Sequence, residues 1–207
     1  MHIPDGFLST NVWAGAWVIS AGALGLCIKK TKEMLKDKMV PLMGVVAAFI
    51  FAAQMLNFPV IGGTSGHLLG GVLAAVLVGP WAGAIVIASV LAVQSLIFQD
   101  GGLTALGANI LNMSIIGAIG GYFLYRMVAR LIGGRIGIMA GVSIAAWASV
   151  VLASGVCALE LALSGTSPLN IALPAMAGMH ALIGIGEAII SFLVVGFVLK
   201  ARPDLIY

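Results

Sequence analysis

The run HLLGGVLAAVLVGPWAGAIVIASVLAVQSLIF, residues 67–98, decides how this chain is read, because its 32 residues count as either one membrane crossing or two. As a single helix it would be about 48 Å long, against a hydrocarbon layer of about 30 Å. Gly79-Pro80 interrupts it near the middle. Proline lacks the N–H that a helix interior needs, and glycine leaves the chain free to turn there. Five further apolar runs, at about 9–28, 39–57, 104–125, 137–163 and 174–199, each reach the roughly 20 residues that a crossing takes.

Charge settles the count. Of the ten basic residues, Lys29, Lys30, Lys32, Lys36 and Lys38 form one cluster, Arg126, Arg130 and Arg135 a second, and Lys200 and Arg202 a third. If residues 67–78 and 80–98 are separate segments, all ten fall on one side of the membrane. If the run crosses once, the last two clusters oppose the first. The positive-inside bias selects two segments. The expectation is an all-α membrane protein of seven transmembrane segments in a single domain, N-terminus outside and C-terminus cytoplasmic. Trp13 and Trp17 then lie near the outer interface, and Tyr122 and Tyr125 near the inner one.

Composition agrees. Of 207 residues, 61% are hydrophobic and 8% charged, and the mean hydropathy is +1.17. A soluble domain carries about 25% charged residues, so a water-soluble enzyme and a nucleic-acid binder are both excluded. Glycine is abundant, at 28 residues. Several form small-residue stripes, such as Gly44-x-x-x-Ala48 and Gly137-x-x-x-Gly141, suited to close helix contact. Cys27 and Cys157 lie in separate apolar runs and read as buried free thiols. There is no Walker A sequence, so ATP hydrolysis would have to come from another subunit.

All three histidines, His2, His67 and His180, fall on the outer side of this topology. His2 stands apart because it follows the first residue, and Met-His-Ile-Pro-Asp-Gly does not read as a cleaved leader. A free terminus followed by histidine is a chelator: the Met1 α-amine, the deprotonated His2 backbone nitrogen and the His2 imidazole close fused rings around one ion. The planar peptide between the first two keeps the three nitrogens nearly coplanar. A fourth nitrogen completes a square plane, a geometry suited to Ni²⁺ or Cu²⁺, and His67, after a glycine-rich stretch, is the leading candidate. Mg²⁺ and Ca²⁺ want six or more oxygens and Zn²⁺ a tetrahedron, so each fits poorly. Ni²⁺, Co²⁺ and Cu²⁺ stay open. Asn109, Asn112, Gln54, Asn57 and Gln94 are candidates to orient His67 or the N-terminal loop. Glu160 and Glu187 are ionisable groups within apolar segments.

The stretch Met1-His2-Ile3-Pro4-Asp5-Gly6-Phe7-Leu8, with Gly63-Thr64-Ser65-Gly66-His67 and Asp100-Gly101-Gly102-Leu103 followed by Gly107-Ala108-Asn109 and Asn112-Met113, resembles the CbiM/NikM family. These are substrate-binding membrane subunits of energy-coupling-factor cobalt and nickel transporters. The resemblance implies a metal-capture subunit in a prokaryotic plasma membrane, with Met1, His2 and His67 as metal ligands and no catalytic cofactor. It also implies partners: a membrane coupling subunit, two ABC-type ATPases and a small accessory membrane protein. Two other readings compete. Gly63-Thr64-Ser65-Gly66 matches the G-x-S-G of rhomboid-type intramembrane proteases, with Ser65 and His180 as the dyad. An ATP-independent channel or carrier would use Glu160, Glu187 and His180.

Overall fold

A computed structural model describes residues 1–34 and 39–207; Lys36 and Lys38 of the first basic cluster lie outside the described residues. Seven helices follow in order: α1 (Thr10–Met34), α2 (Met39–Gln54), α3 (Gly71–Val78), α4 (Pro80–Ile97), α5 (Leu106–Ile132), α6 (Gly134–Leu163) and α7 (Leu169–Ala201). Five of them, α1 and α4 to α7, are long and apolar enough to cross a membrane. Strands β1 (Phe58–Pro59) and β2 (Ser65–Gly66) pair antiparallel and close a small hairpin in the α2–α3 connection.

The run 67–98 is two helices. Gly79 takes φ of +87°, and the chain doubles back there so that α4 runs antiparallel to α3. Pro80 opens α4, where its missing N–H costs nothing. The two helices touch closely: a Cβ on Gly83 would stand 2.8 Å from the Ala75 Cα. Both residues are four positions from Gly79, as a tight hairpin requires.

α3 has only 8 residues and spans about 12 Å, so by itself it covers less than half of a bilayer. Of the segment expected over 67–78, residues Gly71–Val78 are helical. The helix is apolar on all sides because it is enclosed on all sides; every residue but Leu77 is buried. Residues 67–70 continue from the hairpin into the bundle outside any helix, and His67, Leu69 and Gly70 are buried. Backbone off a helix at such depth must find partners inside the protein. Gln54 supplies one, its amide donating to Leu69 O at 2.6 Å.

The small-residue stripe on α6 packs within the chain: a Cβ on Gly137 would lie 2.6 Å from Ala129 O of α5. The stripe on α2 is different, since Gly44 has open space beside it. Over Leu111–Gly120, α5 widens into a π-helix, a form often found beside functional sites. Cys27 and Cys157 are free and buried. Tyr122 and Tyr125 do not face outward as an interfacial belt; both are buried, and Tyr122 also meets Tyr207, ring centroids 6.0 Å apart.

Candidate metal centre

Residues 1–8 turn inward and carry the N-terminus into the bundle. Met1 and Ile3 are 0% exposed and His2 3%. The apolar side chains of Met1 and Ile3 supply the burial that draws the tip in. Asn109 of α5 grips Ile3 from both ends: its Oδ1 accepts Ile3 N–H at 2.8 Å, and its Nδ2 donates to Ile3 O at 3.2 Å. Gly102 N–H adds a bond to the same carbonyl at 2.8 Å. Further along, Asp5 accepts N–H groups of Leu103 and Thr104 and the Thr104 hydroxyl. The Thr104 hydroxyl bond leads in holding the Asp5 carboxyl below its usual range. Thr166 holds Phe7 O.

Seated this way, Met1 N and His2 N both donate to one atom, Ser65 Oγ, at 3.1 and 3.0 Å. The two nitrogens therefore face the same side, which a five-membered chelate ring needs. The His2 ring stacks on His67, with centroids 4.4 Å apart and planes 21° from parallel. Gln94 Oε1 lies 3.0 Å from His2 Nε2. A carboxamide oxygen only accepts, so Nε2 carries the ring proton and Nδ1 keeps its lone pair. Asp100 Oδ1 is 3.3 Å from that Nδ1, without hydrogen-bond geometry, while Asn57 Nδ2 anchors Asp100 Oδ2 at 2.9 Å.

His67 is 1% exposed. Its Nδ1–H donates to Leu68 O at 2.7 Å, and its Nε2 has no protein partner. Both rings are thus held as neutral imidazoles with one nitrogen free to donate, the form that a metal requires. Burial lowers the Met1 amine to about 5, opposed by Cys157 and Asp100. Burial and then the neighbouring amine lower His2 to about 3, against the Gln94 bond. Asp100 is raised by burial, an effect that the amine and the Asn57 bond oppose.

Among the described residues no group of three or more His, Cys, Asp or Glu side chains has metal-holding geometry. The donor set expected from the sequence includes a terminal amine and a backbone amide, which are not side-chain groups. His180 stands apart from this cluster, its Nδ1–H donating to Met176 O at 2.7 Å and its Nε2 unpartnered. Ser65 serves the terminus, and no Ser65–His180 bond is present among the described residues, so the protease dyad is not assembled. Glu160 accepts from Asn112 at 2.6 Å, and Glu187 accepts from backbone N–H groups of Leu69 and Gly70. The sequence flags Asn109 and Gln94, and assigns Ser65 a role only in the competing protease reading; its proximity to Met1 is a contact across 64 positions with no local signal.

The described residues form a multi-pass helical membrane bundle whose buried N-terminus lies beside a stacked pair of histidines. The chain belongs to the CbiM family, described as the cobalt uptake substrate-specific transmembrane region, whose pattern it matches over residues 2–205. It is 43% identical over 208 residues to a NikMN chain of Archaeoglobus fulgidus, covering 100% of this chain and 68% of that one. It is 34% identical over 219 residues to the cobalt transport protein CbiM of Sorangium cellulosum, covering 100% and 94%. The crystal structure of a truncated transition metal transporter superposes with a TM-score of 0.92 at 36% identity, over 97% of this chain and 99% of that one. The chain is a prokaryotic-type membrane protein of nickel and cobalt transport.

Proposed function

We propose that this chain is the substrate-capture subunit of an energy-coupling-factor transporter that takes up Ni²⁺ or Co²⁺. Met1 N, the deprotonated His2 N, His2 Nδ1 and His67 Nε2 are the proposed donors, and a planar set of four nitrogens suits Ni²⁺ well. The observation carrying this reading is the convergence of Met1 N and His2 N on Ser65 Oγ beside the stacked His2–His67 pair. Asn109, Ser65 and Gln94 preset the tip, so the ion meets an ordered chelator. Asp100 gives the dicationic cargo a nearby carboxylate, which offsets charge that the nitrogens leave uncompensated.

In this reading the N-terminus and the site lie on the outer face and the basic clusters on the cytoplasmic face. A membrane coupling subunit and two ATPases would drive inward release, together with a small accessory membrane subunit. The existence of fused NikMN relatives supports assembly with a further component. Cu²⁺ is expected to bind the isolated site as well, since it leads the affinity order for such donors.

The test compares protein starting at Met1 with a variant carrying one extra N-terminal residue, both loaded with Ni²⁺ and measured by elemental analysis. The extension moves the α-amine away from His2, so the variant is expected to lose its nickel. Equal nickel in both would refute the terminal chelate. Nickel uptake that persists in cells lacking the partner ATPases would refute the ATP-driven assignment.

A further inference from the structure

The start of α3 presents its positive end close to the residues that carry His67. A helix N-terminus bears roughly +0.5 charge, and its first N–H groups lack intrahelical partners. Such an end would repel a divalent ion held nearby, and its N–H groups are out of reach of water: Leu69 and Gly70, which lead into α3, are both buried. Glu187, from the middle of α7 and 0% exposed, meets both groups. Its Oε2 accepts Leu69 N–H at 2.6 Å and its Oε1 accepts Gly70 N–H at 2.8 Å. Each oxygen is used as an acceptor, the bonding of a carboxylate.

The same carboxylate reaches His67 through one peptide. Leu68 C=O and Leu69 N–H belong to a single rigid peptide unit. The carbonyl end takes the His67 Nδ1 proton at 2.7 Å, and the N–H end is held by Glu187. Rotating that plane would break both bonds together. Hydrogen bonds in such a series polarise one another, so the carboxylate makes the carbonyl a better acceptor and the imidazole a better donor to metal.

We infer that Glu187 is a positioning residue for the metal centre: its carboxylate neutralises the N-terminus of α3 and, through the Leu68–Leu69 peptide, sets the orientation and basicity of His67. This rests on the reading of His67 as a ligand. Its counterpart in other metal sites is the carboxylate that hydrogen-bonds a ligating histidine directly, whose loss costs about 10–100-fold in affinity. Here a peptide stands between the two.

The test uses full-length protein starting at Met1, with Ni²⁺ as the probe. Affinity is measured by chelator competition, the ligand-field absorption of bound Ni²⁺ at saturation, and thermal unfolding without metal. Glu187→Gln keeps the shape and removes the charge; it is expected to lower affinity about tenfold or more and to move the absorption toward that of His67→Ala. Glu187→Asp, charged but one methylene shorter, is expected to recover part of both. Wild-type affinity and spectrum in Glu187→Gln would overturn the inference while leaving the terminal chelate intact. Loss of the metal-free fold in both variants would assign Glu187 to folding alone and also overturn it. Equal nickel in the wild type and the N-terminally extended protein would bring down the chelate, and this inference with it.

Discussion

Nickel affinity of the protein starting at Met1 is expected to fall about a hundredfold between pH 8 and pH 6, a slope close to one decade per pH unit. In the proposed chelate, metal capture expels the His2 amide proton, which is fully present across this range, so that group contributes a factor of about 100. The Met1 amine would normally add to this. With an ordinary value of 8.0 it would be half neutral at pH 8 and about 1% neutral at pH 6, multiplying the loss by about fifty. Burial lowers the amine to about 5, which leaves it about 90% neutral even at pH 6. Its contribution shrinks to a factor of about 1.1, and the His2 ring, lowered to about 3, does not titrate in this window. The sign follows from the lowered value: proton competition at the amine sets in only as pH falls toward 5. The assay is competition against a chelator of known affinity, in detergent at constant ionic strength. A pH-independent affinity would refute amide ligation. A loss near five thousandfold would mean a hydrated amine, and hence a terminus not seated among Ser65, Asn109 and Gln94.

Three other perturbations follow from contacts described above. Asn109→Ala removes both side-chain bonds to Ile3 and leaves its buried N–H without a partner, a cost of about 1–3 kcal/mol; amide hydrogen exchange at residues 1–8 should rise and nickel affinity drop, and unchanged exchange would refute the clamp. His67→Ala is expected to abolish stoichiometric nickel while His180→Ala keeps it, measured by elemental analysis; the reverse pattern would put the ligand on α7. Gly83→Val drives a side chain into the Ala75 backbone, only 2.8 Å from its Cβ, and is expected to destabilise the bundle by about 1–3 kcal/mol or more; a melting temperature unchanged in detergent would contradict the close α3–α4 contact.

The chain reversal at Gly79-Pro80 could be read from sequence because its causes are local: a residue with no backbone N–H, and one that tolerates a positive φ. His2 stood out in the sequence because it follows residue 1, and the structure stacks its ring on His67. Helix ends were less legible. α5 continues to Ile132, beyond the expected end at 125, because Arg126 and Arg130 interrupt the apolar run without interrupting helical hydrogen bonding. α7 begins at Leu169 although Pro174 lies inside it, since in a packed membrane bundle neighbouring groups can satisfy the backbone that a helix-breaking proline frees. The entry of residues 67–70 into the bundle outside any helix had no signature at all. It depends on Gln54 and Glu187 satisfying the backbone of Leu69 and Gly70, and Glu187 comes from a helix more than a hundred positions away.

Residues 1–7 dock against partners far along the chain. Met1 meets Ser65 across 64 positions, His2 meets Gln94 across 92, Ile3 meets Asn109 across 106, and Phe7 meets Thr166 across 159. Loop-closure entropy grows only slowly with length, so these separations are affordable at equilibrium; in time, however, they impose an order. A nascent chain that has not yet made α5 has no Asn109 to seat residues 1–3, and one that stops short of the α6–α7 connection has no Thr166 to hold Phe7. In the proposed chelate, a fully seated terminus therefore requires a bundle complete at least through the α6–α7 connection.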